Sequence, residues 1–243
     1  MCVGKDSLRL RIFSLTVFGV AMGFLEAAVV VYLRDLFYPE GFAFPLKPMS
    51  LHALSTEYLR EIATIVMLLC VSIFGGRNAC ERFSIFLYSF GIWDIFYYVW
   101  LKVLLDWPAS LFTYDILFLI PVAWIAPVLA PVICSITMIG IAGCIISLTQ
   151  NGYAVVIRPH QRIVFIAGVL LIFITFIWDF SRIILHGGFI GKLWTLSADP
   201  DFQRIVAEYV PNAFQWPLFA AGEGLIVFSL VSFCRSSEKV RTY

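Results

Sequence analysis

Six apolar stretches follow one another with short polar breaks between them, each about as long as the roughly 20 residues a helix needs to cross a bilayer core. This limits the fold more than any other feature, because only helices and closed barrels satisfy every backbone N–H and C=O inside lipid. A barrel requires alternation over about ten residues per strand, whereas GVLLIFITFIW, residues 168–178, is apolar on every side. The chain therefore reads as all-α: a polytopic integral membrane helix bundle forming one domain over residues 1–243. Composition agrees, since 61% hydrophobic residues, 14% charged residues and a mean hydropathy of +0.91 lie far from the soluble norm of about 25% charged.

Spans are expected at residues 11–34, 56–75, 83–105, 116–148, 162–185 and 214–234. The fourth stretch would be about 50 Å long as a continuous helix, against a core of roughly 30 Å, and it contains Pro121, Pro127 and Pro131. Proline removes a backbone donor and breaks or bends a helix. The expectation is a proline-broken fourth helix: either a half-helix or re-entrant piece ahead of a true span near 128–148, or one long kinked helix. Lys5, Arg9 and Arg11 precede the first span as in a secretory signal. The apolar run nevertheless continues to Leu33, well beyond an h-region of about 7–15 residues, so it reads as a membrane helix.

With the N-terminus inside, Lys5, Arg9, Arg11, Arg77, Arg82, Arg158, Arg162, Arg235, Lys239 and Arg241 fall on the inner side. Arg34, Lys47, Arg60, Lys102, Arg182, Lys192 and Arg204 fall on the outer side, most of them near an acid. This bias predicts both termini in the cytoplasm, in a plasma or inner membrane. A net charge of +1, with no basic run, excludes a general nucleic-acid surface. Cys2, Cys70, Cys80, Cys134, Cys144 and Cys234 lie in spans or on the inner side and form no CxxC, so no disulfide framework or covalent haem is expected. No repeat of 20–50 residues is present.

The spans carry acids. Glu26, Glu61, Asp94, Asp115, Asp179 and Glu223 fall one per span in the outer half, with Asp115 nearest the mouth. Each ionised carboxylate costs at least about 2.5–3.5 kcal/mol at a helix centre, so these side chains are expected to face protein or water. Gly19 and Gly23 form a GxxxG step on the face of Glu26, and Ala220 and Gly224 flank Glu223, marking close-packed faces. Asp94, Tyr98 and Lys102 share one stripe; Glu57, Arg60, Glu61 and Thr64 form another; Thr175, Asp179, Arg182 and His186 form a third. The reading is a polar chamber open to the outer face, with Arg60 and Arg182 among the acids and Trp93, Tyr97, Tyr98, Trp124, Trp178 and Trp216 around them. A purely structural reading pairs Glu61 with Arg60 and Asp179 with Arg182 as helix pins, and places the aromatic residues in the interfacial belt.

Clustered carboxylates suit protons or a hard divalent cation. No cofactor is evident: His52, His160 and His186 form no HxxxH or ExxH pair, and neither GxSxG nor HExxH occurs. Three function classes stay open. A transporter or channel for a cation, proton or small polar substrate is the working expectation, with a homo-oligomer expected for so short a chain. The others are an accessory or proton-conducting subunit of a larger membrane complex, and an intramembrane enzyme. Such an enzyme would use Glu26, Glu61 or Asp94 as general base, with Arg60 or Arg182 holding an anionic head group.

Overall fold

The computed structural model describes residues 5–47, 49–153, 157–189, 191, 199–211 and 213–236. Cys2, Pro48, Lys192, Lys239, Arg241 and the side chain of Lys5 lie outside the described residues. The chain is a multi-pass membrane bundle of helices α1 (Lys5–Phe37), α2 (Leu51–Gly75), α3 (Ala79–Leu105), α4 (Leu129–Gln150), α5 (Pro159–His186), α6 (Pro200–Glu208) and α7 (Trp216–Ser236). All except α6 are long and apolar enough to cross a bilayer. An even number of spans puts the start of α1 and the end of α7 at one end, here called the terminal end.

Local chemistry sets the helix limits. Ser50 Oγ accepts from Ala53 N at 3.2 Å to start α2. Asn78 Oδ1 accepts from Glu81 N at 2.9 Å to start α3, and the Glu81 carboxylate reaches back to Arg77 N at 3.1 Å. Asp106, with φ at 52°, ends α3 in the left-handed region. Pro159 opens α5 at the position where its missing N–H costs nothing.

The proline-rich stretch departs from a helical reading. Residues ahead of α4 form an antiparallel hairpin of β1 (Tyr114–Phe118) and β2 (Trp124–Pro127), in which Asp115 faces Ala126 and Ile116 faces Ile125. The helix begins only at Leu129, so the stretch is not one long kinked helix: the true span is the 128–148 segment, and the piece ahead of it is a strand pair and not a half-helix. Pro121 and Pro127 cannot supply helical N–H donors, and an extended chain needs only every second one. The short helix α6 lies between the expected fifth and sixth spans; it buries Phe202 against Ile184 and Phe189 and exposes Asp201 and Arg204.

Helix α3 is the centre of one group, packing against α1, α2 and α4, while α5 pairs with α7. Small residues decide these contacts. A Cβ on Gly23 would lie 2.9 Å from Trp93 O and 3.0 Å from Tyr97 N, and one on Gly91 would lie 2.7 Å from Ser135 O. Gly168 and Gly222 meet across α5 and α7, each facing the other's carbonyl. On α7 the close-packing residue is therefore Gly222 and not the expected Ala220 and Gly224 stripe, since both of those are exposed.

The hairpin binds the two groups together. Phe118 packs on Phe90 and Trp93 of α3, and Trp124 packs on Phe173 and Phe176 of α5. Phe90 lies 15 residues from the end of α3 at Leu105, about 22 Å along the axis, so the hairpin tip enters deep into the bundle.

Gly23→Val should lower the thermal unfolding midpoint in detergent, because backbone atoms of α3 occupy the space its side chain needs and overpacking costs about 1–3 kcal/mol. Gly224→Ala, which meets nothing within 4 Å, should leave the midpoint unchanged or raised. A wild-type midpoint for Gly23→Val, read by far-UV circular dichroism, would contradict this packing.

Candidate functional site

Helical spacing assembles the site. Glu57, Glu61, Thr64, Leu68 and Ser72 form the buried face of α2, following the three- and four-residue steps of one helix side. Glu26, Glu61 and Asp94 each lie 10 or 11 residues from the hairpin end of their helix, about 15–16 Å along the axis. Three helices thus bring acids to one depth.

Arg60 bridges two of these helices. Its Nε donates to Glu57 Oε2 at 2.7 Å, and its Nη1 is in direct contact with Glu26 Oε1. Thr64 Oγ1 donates to the second oxygen of Glu26 at 3.2 Å. Glu61 is consequently not the ion-pair partner of Arg60 that its neighbouring position suggests. Both of its oxygens accept from Leu119 N, at 3.0 and 2.9 Å. Leu119 is at the hairpin tip, where its amide has no strand partner, and a carboxylate at this depth supplies one.

Asp94 Oδ2 accepts from Ser135 Oγ of α4 at 2.7 Å. Asp115, on β1, pairs with Arg34 at 3.3 Å, and this pair is the most enclosed, at 2% and 7% exposure. The Arg34 guanidinium lies over the rings of Trp107 and Phe42, at 3.7 and 4.6 Å from their centroids. This flat stacking suits arginine and not lysine. The rings of Tyr97 and Tyr98 meet edge-on at 4.9 Å. Tyr97 lies within electrostatic reach of Arg34, Arg60, Asp94 and Asp115, and Tyr98 faces Asp115 and Asp94.

The layer is closed toward the hairpin end, where the sequence suggested an open chamber. Glu61, Asp94 and Asp115 are 5%, 9% and 2% exposed, and the hairpin fills the mouth. Two surface hollows of about 500 Å³ each lie elsewhere, one at the terminal ends of α5 and α7 and one at the start of α2.

The remaining expected residues stand apart. Asp179 accepts from the Tyr209 hydroxyl just beyond α6, not from Arg182, which is exposed and forms no ion pair among the described residues. Tyr209 lies outside the spans, and burial followed by the Asp179 hydrogen bond holds its phenol well above the ordinary range. It therefore remains a donor. Glu223 Oε2 accepts from Thr137 Oγ1 at 2.9 Å. Lys102 leaves the Asp94 stripe to pair with Asp106 at 2.7 Å, and Trp178 is exposed. Among the described residues no three His, Cys, Asp or Glu side chains converge as metal ligands.

Arg34 and Glu57 take a larger part in the site than their sequence positions indicate, and Ser135 joins it without a mark in the sequence. Arg34 carried a signal, because Glu26, Val30 and Arg34 follow at four-residue steps on one face of α1. Ser135 carried none, since a lone serine in an apolar helix has no periodic mark.

Arg34→Met should destabilise the fold by about 3–5 kcal/mol, the usual consequence of leaving one buried charge unpaired. Arg34→Met with Asp115→Asn should recover most of that loss. Unfolding of detergent-purified protein by increasing sodium dodecyl sulfate measures both, and a double variant no more stable than the single one would contradict the pairing. Comparison with known protein families, with curated proteins and with solved structures finds no match to this chain.

Proposed function

We propose that this membrane protein moves protons or a small cation through the carboxylate layer, as a transporter or channel. One observation supports this reading above the others. Five carboxylates, Glu26, Glu57, Glu61, Asp94 and Asp115, share the layer with only two guanidiniums, Arg34 and Arg60. Unbalanced charge is expensive away from water, so protons or cations must make up the difference. Groups that exchange such ions on and off their side chains are what conduction through a membrane needs.

The hairpin supplies a coupling element. An ionised Glu61 holds the Leu119 amide with both oxygens; a protonated Glu61 has one oxygen occupied by hydrogen and no net charge to offer. Proton or cation arrival at Glu61 would release the hairpin tip and open the layer toward the hairpin end. Asp94, with Ser135 as its donor, is a second carboxylate at the depth of Glu61, and Tyr97 and Tyr98 provide hydroxyls beside the acids. A divalent cation is not required by this scheme. The lysine and arginine bias of the sequence favours the terminal end as cytoplasmic, in a plasma or inner membrane, and a homodimer as the working unit fits the small size of the chain.

Purified protein in liposomes with an internal pH dye and an imposed potassium potential should show proton flux, or sodium or potassium flux with matching dyes, above protein-free liposomes. Asp94→Asn and Glu61→Gln should each reduce that flux about tenfold or more, equivalent to about 1.4 kcal/mol of barrier, without loss of insertion or helical content. Absence of flux for all three ions would sink the reading. Wild-type flux in a folded Asp94→Asn protein would remove Asp94 from the route.

A further inference from the structure

At the terminal end, opposite the hairpin, the start of α5 and the last turns of α7 enclose a groove of about 500 Å³ lined by Arg158, Phe228, Val231, Ser232, Arg235 and Ser236. Its walls are fixed by one side chain. Gln161, 1% exposed, accepts from Arg158 N at 3.0 Å through Oε1 and donates through Nε2 to Ser236 Oγ at 2.9 Å and Ser232 Oγ at 3.3 Å. Its backbone carbonyl accepts from Ser229 Oγ at 2.8 Å. Two turns deeper, Gly168 and Gly222 hold the helices in close contact. The groove is thus a feature of a locked helix pair.

Its chemistry is divided along its length. Arg158 and Arg235 are exposed at the rim, and neither has a carboxylate partner among the described residues. Ser232 accepts from Gln161 and has no acceptor for its own O–H among the described residues. Ser236, by contrast, already donates to Phe233 O at 3.1 Å. Phe228 and Val231, 63% and 42% exposed, extend the wall from this rim toward the bundle centre, about 6–10 Å from Arg235 along the helix. Two guanidiniums without a carboxylate among the described residues and a hydroxyl, above an apolar track, match a phosphate with acyl chains hanging from it.

We propose that this groove binds the phosphate of an anionic phospholipid, with Arg158, Arg235 and the Ser232 hydroxyl on the phosphate oxygens and Phe228 and Val231 along an acyl chain. The first turn of α5 adds the positive end of a helix dipole to the same rim. Net headgroup charge selects the lipid: a zwitterionic headgroup carries its own cation and gains less from the two arginines. This site is independent of the carboxylate layer and stands whether or not the chain moves ions.

Native mass spectrometry of the purified full chain, with phosphatidylglycerol or phosphatidylcholine added in detergent, tests the site. Phosphatidylglycerol should be retained in preference to phosphatidylcholine, and millimolar inorganic phosphate should not displace it. Arg158→Gln with Arg235→Gln should weaken phosphatidylglycerol binding about tenfold, equivalent to about 1.4 kcal/mol, whereas Arg182→Gln at the opposite end should not. Each single arginine variant, checked for wild-type helical content, should show a partial loss, so a misfolded double variant does not decide the matter. Equal retention of the two lipids, or wild-type retention in the folded variants, would overturn the proposal. Displacement by inorganic phosphate would assign the groove to a free anion instead of a lipid.

Discussion

Backbone that leaves the helix inside a membrane bundle must find a partner for each polar group, because no water stands ready to take it. Residues 111–129 meet this condition in three ways. Their strands pair with each other; Val128 N and Leu129 N donate to the carbonyls of Thr113 and Leu111, at 3.0 and 2.8 Å; and the tip amide of Leu119 is taken by Glu61 of α2. The last bond makes the position of the hairpin depend on a titratable side chain. The same hairpin carries Asp115 to Arg34 and sets Phe118 and Trp124 between the two helix groups. The architecture at that end therefore rests on the Leu119–Glu61 bond together with the Asp115–Arg34 pair and the aromatic contacts.

Around that bond the layer is polar in composition yet closed. Every acid has a donor, with Arg60 serving two: Arg60 and Thr64 for Glu26, Arg60 for Glu57, Leu119 for Glu61, Ser135 for Asp94 and Arg34 for Asp115. These bonds join four helices and the hairpin, so they brace the bundle as well as hold charge. A set of structural pins alone would tend toward matched acids and bases, since an unpaired buried charge is a large cost with no return in stability. The surplus of acids is the feature that structural bracing leaves unexplained.

The two ends of the molecule carry opposite chemistry for a common reason. At the hairpin end acids gather in the interior, while at the terminal end Arg158 and Arg235 stay at the rim without acidic partners among the described residues. Long basic side chains can extend to the headgroup region with their stems along apolar helix surface, whereas carboxylates on short stems must be given partners where they stand. Gly168 against Gly222 and Gln161 against the α7 serines hold α5 and α7 together at the terminal end, whereas the hairpin is held in part by carboxylates.

Length and hydropathy in the sequence determined the membrane helices, the GxxxG face of α1, and the depth shared by Glu26, Glu61 and Asp94, because all of these follow from helical periodicity along a single segment. Prolines marked where the fourth stretch ceases to be helical but not that it becomes a hairpin, since strand pairing joins residues whose compatibility no local pattern records. Partner choice was likewise invisible. Arg60 turns from Glu61 to Glu57 and Glu26, Asp179 takes Tyr209 instead of Arg182, and a solitary Ser135 meets Asp94. Those choices were decided by the tertiary structure, because a buried carboxylate takes the donor that packing brings within about 3 Å, and that distance is set by how whole helices cross.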